Sequence, residues 1–150
     1  MLRSRRSSDE GSSSLEFITT GLILLVPLVY LVLTMSAVQG GALAVEGASR
    51  QAARVYVQAD DEADAAASAD RAIAVALADY GIDASDASVS VACEPDPRDC
   101  LSRHGFVTVT VEVTVGLPLI PPILGLDVPA GVPLSSTATE QVSRFTEAEG

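Results

Sequence analysis

The chain has 150 residues, including nine arginines, no lysine and 20 aspartates and glutamates, and its formal net charge is −11 at pH 7. This charge argues against a nucleic-acid-binding protein, because contacts with phosphates need a basic surface. An acidic surface also repels other copies of the chain, so any self-assembly would have to be driven mainly by apolar packing.

The first predicted element is a membrane-spanning helix. The residues from Phe17 to Val38 are dominated by Leu, Ile and Val, and no charged residue follows until Glu46. As a helix they would be about 33 Å long, which is enough to cross a hydrocarbon core of about 30 Å. The run is too long for the apolar part of a signal peptide, and no typical cleavage site follows it.

Residues 1–11 are polar and contain Arg3, Arg5 and Arg6. By the positive-inside rule, these arginines keep the amino end in the cytoplasm and place the rest of the chain outside. The sequence therefore predicts a single-pass protein of the cell membrane with a cytoplasmic amino terminus and an extracellular carboxyl terminus.

Glu16 lies directly before the apolar run and has two interpretations. In the first, Ser13 and Glu16 form a capping box, in which each side chain accepts a hydrogen bond from the backbone amide of the other residue. The carboxylate would also interact favourably with the positive end of the helix dipole, by about 0.3–1 kcal/mol. This interpretation gives Glu16 no role beyond starting the helix.

The second interpretation rests on a resemblance. A basic leader, the pair Gly11–Ser12 and the pair Glu16–Phe17 at the start of an apolar helix resemble the processing motif of type IV pilin-like proteins. The resemblance implies that a prepilin peptidase cleaves between Gly11 and Ser12. It also implies that Glu16 and Phe17 take part in assembly with the N-terminal helices of other pilin subunits. We favour this interpretation, because capping explains neither the glycine nor the basic leader.

Beyond Val38 the helix is predicted to continue as a polar extension, so that residues 12–58 form the membrane helix and its extension. Gly40, Gly41 and Gly47 either let another helix approach closely or loosen the helix where it leaves the membrane. The predicted contact stripe consists of Val38, Ala42, Val45, Ala52 and Tyr56.

A second helix is predicted from about Glu62 to Tyr80, with Gly81 after its last turn. Its apolar face consists of Ile73, Ala76, Leu77 and Tyr80. The acidic cluster near its start lacks the alternating ligands and the glycine of a calcium loop, so we expect a solvated helix start. The cluster consists of Asp60, Asp61, Glu62 and Asp64.

Two later stretches alternate between apolar and polar residues, which is the pattern of a strand with one buried face. They extend from Ser88 to Cys93 and from Val107 to Val115. The connection between them contains the only two cysteines of the chain, Cys93 and Cys100. Outside a membrane, an even number of cysteines across a tight turn favours a disulfide.

No catalytic or metal-binding constellation is recognisable. A zinc site would need Cys93, Cys100, His104 and a fourth ligand, and the chain has no second histidine or third cysteine. His104 has no serine or cysteine nucleophile at a recognisable spacing, and we expect it in a hairpin at the start of a strand. We therefore expect no enzyme, metal, cofactor or small-molecule substrate.

The segment 116–133 contains five prolines among many large apolar residues. Proline excludes an ordinary central strand or helix here. The apolar side chains are expected to pack across the sheet or the second helix, and the alternative is contact with another subunit or the membrane surface. A last strand is predicted from Leu134 to Phe145, followed by an acidic tail.

Together these elements predict an α+β protein, in which a long N-terminal transmembrane helix carries a small external domain with one helix and an antiparallel β-sheet. Residues 1–11 are the leader, predicted to be removed, and residues 59–150 form the external domain. The order of elements resembles TadE-like minor pilins or pseudopilins of tight-adherence secretion systems. The resemblance implies a subunit that is assembled into, or initiates, a surface pilus or secretion fibre. The alternative is a non-assembling, membrane-tethered binding domain.

Overall fold

The computed structural model describes residues 12–118 and 131–144. The described strands form one antiparallel sheet, in which they lie side by side in chain order. The predicted α+β class is confirmed for the described residues. Their elements are α1 (Ser12–Tyr56), α2 (Glu62–Ala78), a 3-10 helix (Ala84–Asp86), β1 (Ala87–Glu94), β2 (Phe106–Gly116) and β3 (Gly131–Gln141).

The carboxyl-terminal part of α1 forms one side of the hydrophobic core. Its buried residues recur at intervals of three or four, which places them on one face of the helix. Most of them are small, so α2 and the sheet lie close to the axis of α1. The buried face consists of Gly41, Ala44, Val45, Ala48, Ser49, Ala52, Ala53 and Tyr56.

Gly41 occupies the first buried position of this face, and the predicted Ala42 is exposed. A Cβ atom at Gly41 would overlap Val115 Cγ2 and would lie 2.8 Å from Leu134 Cδ1. Because it has no side chain, Gly41 lets β2 and β3 approach α1. At Gly47, in contrast, an added Cβ would have no atom within 4 Å. The close approach predicted for the glycines therefore occurs at Gly41, and the partner is the sheet of the same chain.

The helix α2 begins at Glu62, as predicted, and ends at Ala78, two residues before the predicted Tyr80. Asp61 is its N-cap, since Asp61 Oδ1 accepts a hydrogen bond of 2.8 Å from the amide of Asp64. A side-chain acceptor at this position satisfies one of the free amides of the first turn. The acidic cluster thus contributes to a helix start, as predicted.

The chain reverses direction after α2. Gly81 has a φ of +71°, a conformation that glycine adopts without steric cost. The amide of Ile82 then donates to Leu77 O at 3.1 Å. Tyr80 lies in this turn and is about half exposed, so its predicted place on the apolar face is wrong. The buried face of α2 repeats every four residues and consists of Ala65, Ala69, Ile73 and Leu77.

The central strand β2 shows the predicted alternation. Its inward-facing valines are almost completely buried, and α1 packs on this side of β2 and β3. On the outer side, the hydroxyls of Thr108 and Thr110 form hydrogen bonds of 2.9 and 3.0 Å with those of Thr139 and Thr137. Cross-strand hydroxyl pairs of this kind stabilise a sheet and fix its register. The inward-facing residues are Val107, Val109, Val111 and Val113.

The inner side of β1 is less well covered. Val89 and Val91 pair with Val111 and Val109 and therefore face the same side of the sheet. They nevertheless remain 41% and 42% exposed. The alternation in β1 identifies the strand correctly, but α1 covers mainly β2 and β3.

The strand β3 begins at Gly131, three residues before the predicted Leu134. Pro133 lies in β3 and pairs with Thr114. It is tolerated because β3 is an edge strand, where a missing amide hydrogen can face away from the neighbouring strand. The strand ends at Gln141, so the predicted end at Phe145 is wrong by four residues. The packing predicted for residues 119–130 lies outside the described residues.

Candidate functional site

The amino-terminal part of α1 exposes a large apolar surface. Fourteen large hydrophobic residues between Leu15 and Met35 are exposed. The helix is long and apolar enough to cross a membrane, with a mean hydropathy of 2.4 over its most apolar window, none of which is buried within the chain. By length and composition, α1 is therefore a candidate membrane span.

Two of the hydroxyls inside this apolar stretch form hydrogen bonds within the helix. Thr19 Oγ1 donates to Leu15 O at 2.8 Å, and Thr34 Oγ1 donates to Tyr30 O at 2.9 Å. Such bonds let a hydroxyl lie in an apolar environment without an outside partner. Pro27 is also part of the helix.

The predicted assembly residues Glu16 and Phe17 lie near the amino end of this surface. Both are exposed, and the side chain of Phe17 is 80% accessible. An exposed ring beside a single carboxylate, at the end of an apolar helix, is available for contacts with other molecules. The predicted processing site is described on one side only, because Ser12 belongs to α1 and Gly11 lies outside the described residues.

The capping-box interpretation of Glu16 is wrong in this structure. It requires Ser13 at the N-cap, whose backbone is not helical. Ser13 lies inside α1, and the first turn of the helix contains no acidic residue. Capping by the Ser13–Glu16 pair therefore does not explain why a glutamate lies at position 16.

The polar extension of α1 begins with an ion pair on the helix surface. Glu46 Oε1 and Arg50 Nη2 are 2.6 Å apart, one helical turn from each other. Both side chains are substantially exposed, so the pair contributes little stability. It lies beyond the exposed apolar stretch of α1, residues 15–35, here called the apolar rod. In this later part α1 packs against α2 and the sheet.

Cys93 and Cys100 form the predicted disulfide, with their Cα atoms 5.1 Å apart. Cys93 lies in β1 and is buried, whereas Cys100 belongs to the connection to β2. The amide of Cys100 donates to Glu62 Oε1 at 3.0 Å, which links the cysteine loop to the start of α2. This contact was not predicted, because Glu62 is distant in sequence and no local pattern connects the two residues. His104 lies in the turn before β2, as predicted.

Peptide mapping of surface-exposed protein without reductant should recover Cys93 and Cys100 in one cross-linked peptide. Changing both cysteines to serine should lower the free energy of unfolding by about 2–3 kcal/mol, because the bond closes a short loop in the unfolded chain. Reducing the native protein should reproduce this loss and should not affect the double variant. Two free thiols in protein from the cell surface would contradict both the bond and the outward orientation.

Nothing among the described residues points to metal chemistry, since they contain no group of three or more His, Cys, Asp or Glu that could hold an ion. The chain matches no family model, no curated protein and no solved structure. Its functional interpretation thus depends on the geometry of α1 and on the residues at the start of that helix.

Proposed function

We propose that this protein is a minor pilin or pseudopilin, a single-pass membrane subunit that is assembled into, or initiates, a tight-adherence type surface pilus or secretion fibre. Its partners would be the membrane, a prepilin peptidase and the N-terminal helices of other subunits. The observation that carries the proposal is the division of α1 into an exposed apolar rod and a part that forms the core of the external domain.

The size of the exposed apolar surface supports this proposal. Burying one large apolar side chain contributes about 1.5–3 kcal/mol, so burying fourteen would contribute on the order of tens of kcal/mol. A surface of this size needs an apolar environment. A lipid bilayer provides that environment before assembly, and neighbouring helices provide it in a fibre.

The position of Glu16 favours assembly over a simple anchor. It is the only charged residue between Ser12 and Val45, and it lies at the amino end of the rod. Its carboxylate would be costly if the hydrocarbon of the bilayer surrounded it without a partner. A membrane-tethered binding domain would require the apolar rod, but its function would not require a carboxylate at residue 16. In a bundle of subunits, this carboxylate would pair with a positive group of a neighbouring subunit. Such a pair would fix the position of one helix relative to the next along the fibre axis.

The first test of the proposal is the amino terminus of the mature protein. In cells with an active prepilin peptidase, mass spectrometry of the membrane-extracted protein should find Ser12 as the first residue, methylated if the resemblance to pilins extends that far. Cells lacking the peptidase provide the control and should retain Met1. An intact leader in both strains would contradict the proposal, and so would failure to co-purify with a sheared surface fibre.

A further inference from the structure

The strand β1 forms a free edge of the sheet in the part of the chain that the structure describes. It lies next to β2 only, and β3 forms the opposite edge. The residues from Ser88 to Ala92 are all exposed, although they alternate between the two faces of the sheet. Neither helix therefore covers this part of β1 to any large extent.

The ladder between β2 and β3 determines which backbone groups of β1 point to this edge. The amide of Val142 donates to Gly105 O at 2.9 Å, one step beyond the paired residues of the two strands. Hydrogen-bonded and non-hydrogen-bonded pairs alternate in an antiparallel ladder, so the odd-numbered residues of β2 bond to β3 and the even-numbered ones bond to β1. Even-numbered residues of β2 pair with even-numbered residues of β1. The backbone groups of Val89 and Val91 therefore point away from β2, where no described strand meets them.

The two edges of the sheet differ in how they are protected against a further strand. Natural edge strands commonly carry proline or charged residues, which hinder pairing with other chains. β3 contains Pro133, and α1 packs on its inner side. β1 contains no proline and no charged residue before Glu94, and the inward-facing Val89 and Val91 remain substantially exposed. An added strand would satisfy the free backbone groups and cover both valines.

The two ends of this edge are acidic. Asp83 and Asp86 precede β1, Glu94 ends it and Asp96 follows it, with no basic residue between positions 83 and 96. Hydrogen bonds of 2.9 and 2.8 Å from the amide and the hydroxyl of Ser85 lower the pKa of Asp83, so its carboxylate is charged at neutral pH. A strand with basic side chains at its ends complements these carboxylates, whereas an acidic strand is repelled.

A second copy of this chain does not fit as the added strand. Symmetric pairing of two β1 strands, with their valines on one side, requires a two-fold axis perpendicular to the sheet. α1 runs beside β3 in the same direction, because Gly41 adjoins Leu134 near the start of β3, and Arg54 and Gln141 line one cavity at its end. The two-fold axis would reverse the second α1, whereas copies in one membrane have rods that point the same way. Only this step rests on the proposed function. Pairing in either direction would also bring the acidic ends of the two strands together.

We propose that the free edge of β1 is a docking site for an extended peptide segment of another protein, with apolar side chains at alternate positions and a basic side chain at each end. The segment pairs with β1 as an additional strand, and its apolar side chains lie beside Val89 and Val91. Main-chain hydrogen bonds provide the affinity in this type of recognition, and alternate side chains provide the specificity. The inference goes beyond the proposed function.

The test uses the full chain in micelles of a non-ionic detergent. The probe is a fluorescein-labelled synthetic peptide in which valines alternate with threonines between two terminal arginines, and fluorescence anisotropy measures its binding. One matched peptide is N-methylated at its internal amides, and another has glutamate in place of both arginines. In the protein, Val91→Pro removes an amide that points to the free edge. Ser135→Pro removes the corresponding amide from the opposite edge strand.

We expect saturable binding of the arginine peptide, and this binding should weaken as salt is added. N-methylation of the peptide, or Val91→Pro in the protein, should weaken binding at least about tenfold, because each change leaves backbone partners unpaired. Ser135→Pro, which lies away from the site, should leave binding within about twofold of wild type. The glutamate peptide should bind more weakly than the arginine peptide.

No binding of the arginine peptide to the wild-type chain would overturn the proposal. Equal binding of the N-methylated peptide, of the glutamate peptide or by Val91→Pro would also overturn it. Sedimentation of the chain without peptide tests for a second copy, and a dimer that Val91→Pro abolishes would likewise overturn the proposal. Disulfide formation verifies that each variant has folded, and the N-methylated peptide tests the site without changing the protein. The binding measurements need neither leader cleavage nor a fibre, so this proposal and the proposed function fail independently.

Discussion

Replacing Glu16 with glutamine should reduce incorporation of the protein into fibres by about tenfold or more, while membrane insertion, leader cleavage and the disulfide remain intact. Glutamine keeps the size and polarity of the side chain and removes its charge. A tenfold loss corresponds to about 1.4 kcal/mol. Two unit charges 4 Å apart interact by about 4 kcal/mol at an effective dielectric constant of 20, so one lost pairing is sufficient.

The partner that we expect for this charge is an amino terminus. Cleavage after Gly11 would create an ammonium group at Ser12, four residues before Glu16. In a bundle of subunits, Glu16 of one copy would pair with the Ser12 ammonium of its neighbour and set the axial register. Because Ser13 lies inside α1 and is not its N-cap, the glutamine variant should lose this pairing without losing a helix cap.

The ratio of subunit in sheared surface fractions to subunit in total membranes measures this effect. Glu46→Gln is a matched control, since it makes the same change in the same helix beyond the apolar rod. Glu46 has an exposed partner in Arg50, so its replacement should leave incorporation within about twofold of wild type. Equal incorporation of wild type and Glu16→Gln would remove the assembly role of Glu16.

Changing Leu77 to alanine should lower the free energy of unfolding of the external domain by about 2–5 kcal/mol. Leu77 lies on the buried face of α2 and is fully buried, so its truncation would leave a cavity in the core. Urea unfolding of the full chain in detergent micelles, followed by tyrosine fluorescence, measures the change. A loss of this size is a large part of the stability of a small domain.

Val75→Ala provides the comparison for this measurement, because Val75 belongs to the same helix and is 66% exposed. Its replacement should change the unfolding free energy by no more than about 0.5 kcal/mol. If both variants unfolded at the same urea concentration, the packing of α2 against α1 would be disproved.

The elements with a strict period were predictable from the sequence. The alternation from Val107 to Val115 predicts both the strand and its buried side. A shift of one residue in the pairing register would turn every valine outward, so only one register buries them. The start of α2 was equally predictable, since Asp61 and the acids after it favour a helix amino terminus. The disulfide followed from the number and spacing of the cysteines.

Features that depend on tertiary contact were not predictable. Small residues surround Gly41 and Ala42, so hydrophobicity alone does not decide which of them faces the sheet. The exposure of Val89 and Val91 depends on how far the helices extend across the sheet.

The candidate site was predictable where a linear motif defines it. Glu16 and Phe17 were chosen from their spacing after Gly11, and the structure adds their exposure at the end of the apolar rod. The role of Glu16 in assembly and the cleavage after Gly11 remain predictions. They depend on an enzyme and on neighbouring subunits, which the sequence of one chain does not contain.

The continuity of α1 fixes the direction in which the domain formed with α2 and the sheet faces around the apolar rod. One helix forms both the rod and part of the core, so the domain has no independent hinge between them. Each residue of an α-helix adds about 100° of rotation and 1.5 Å of rise. The number of residues between Glu16 and Gly41 thus determines the angle between Glu16 and the sheet around the helix axis. Inserting one residue there would rotate the threonine-bearing face of the sheet by more than a quarter of a circle relative to Glu16.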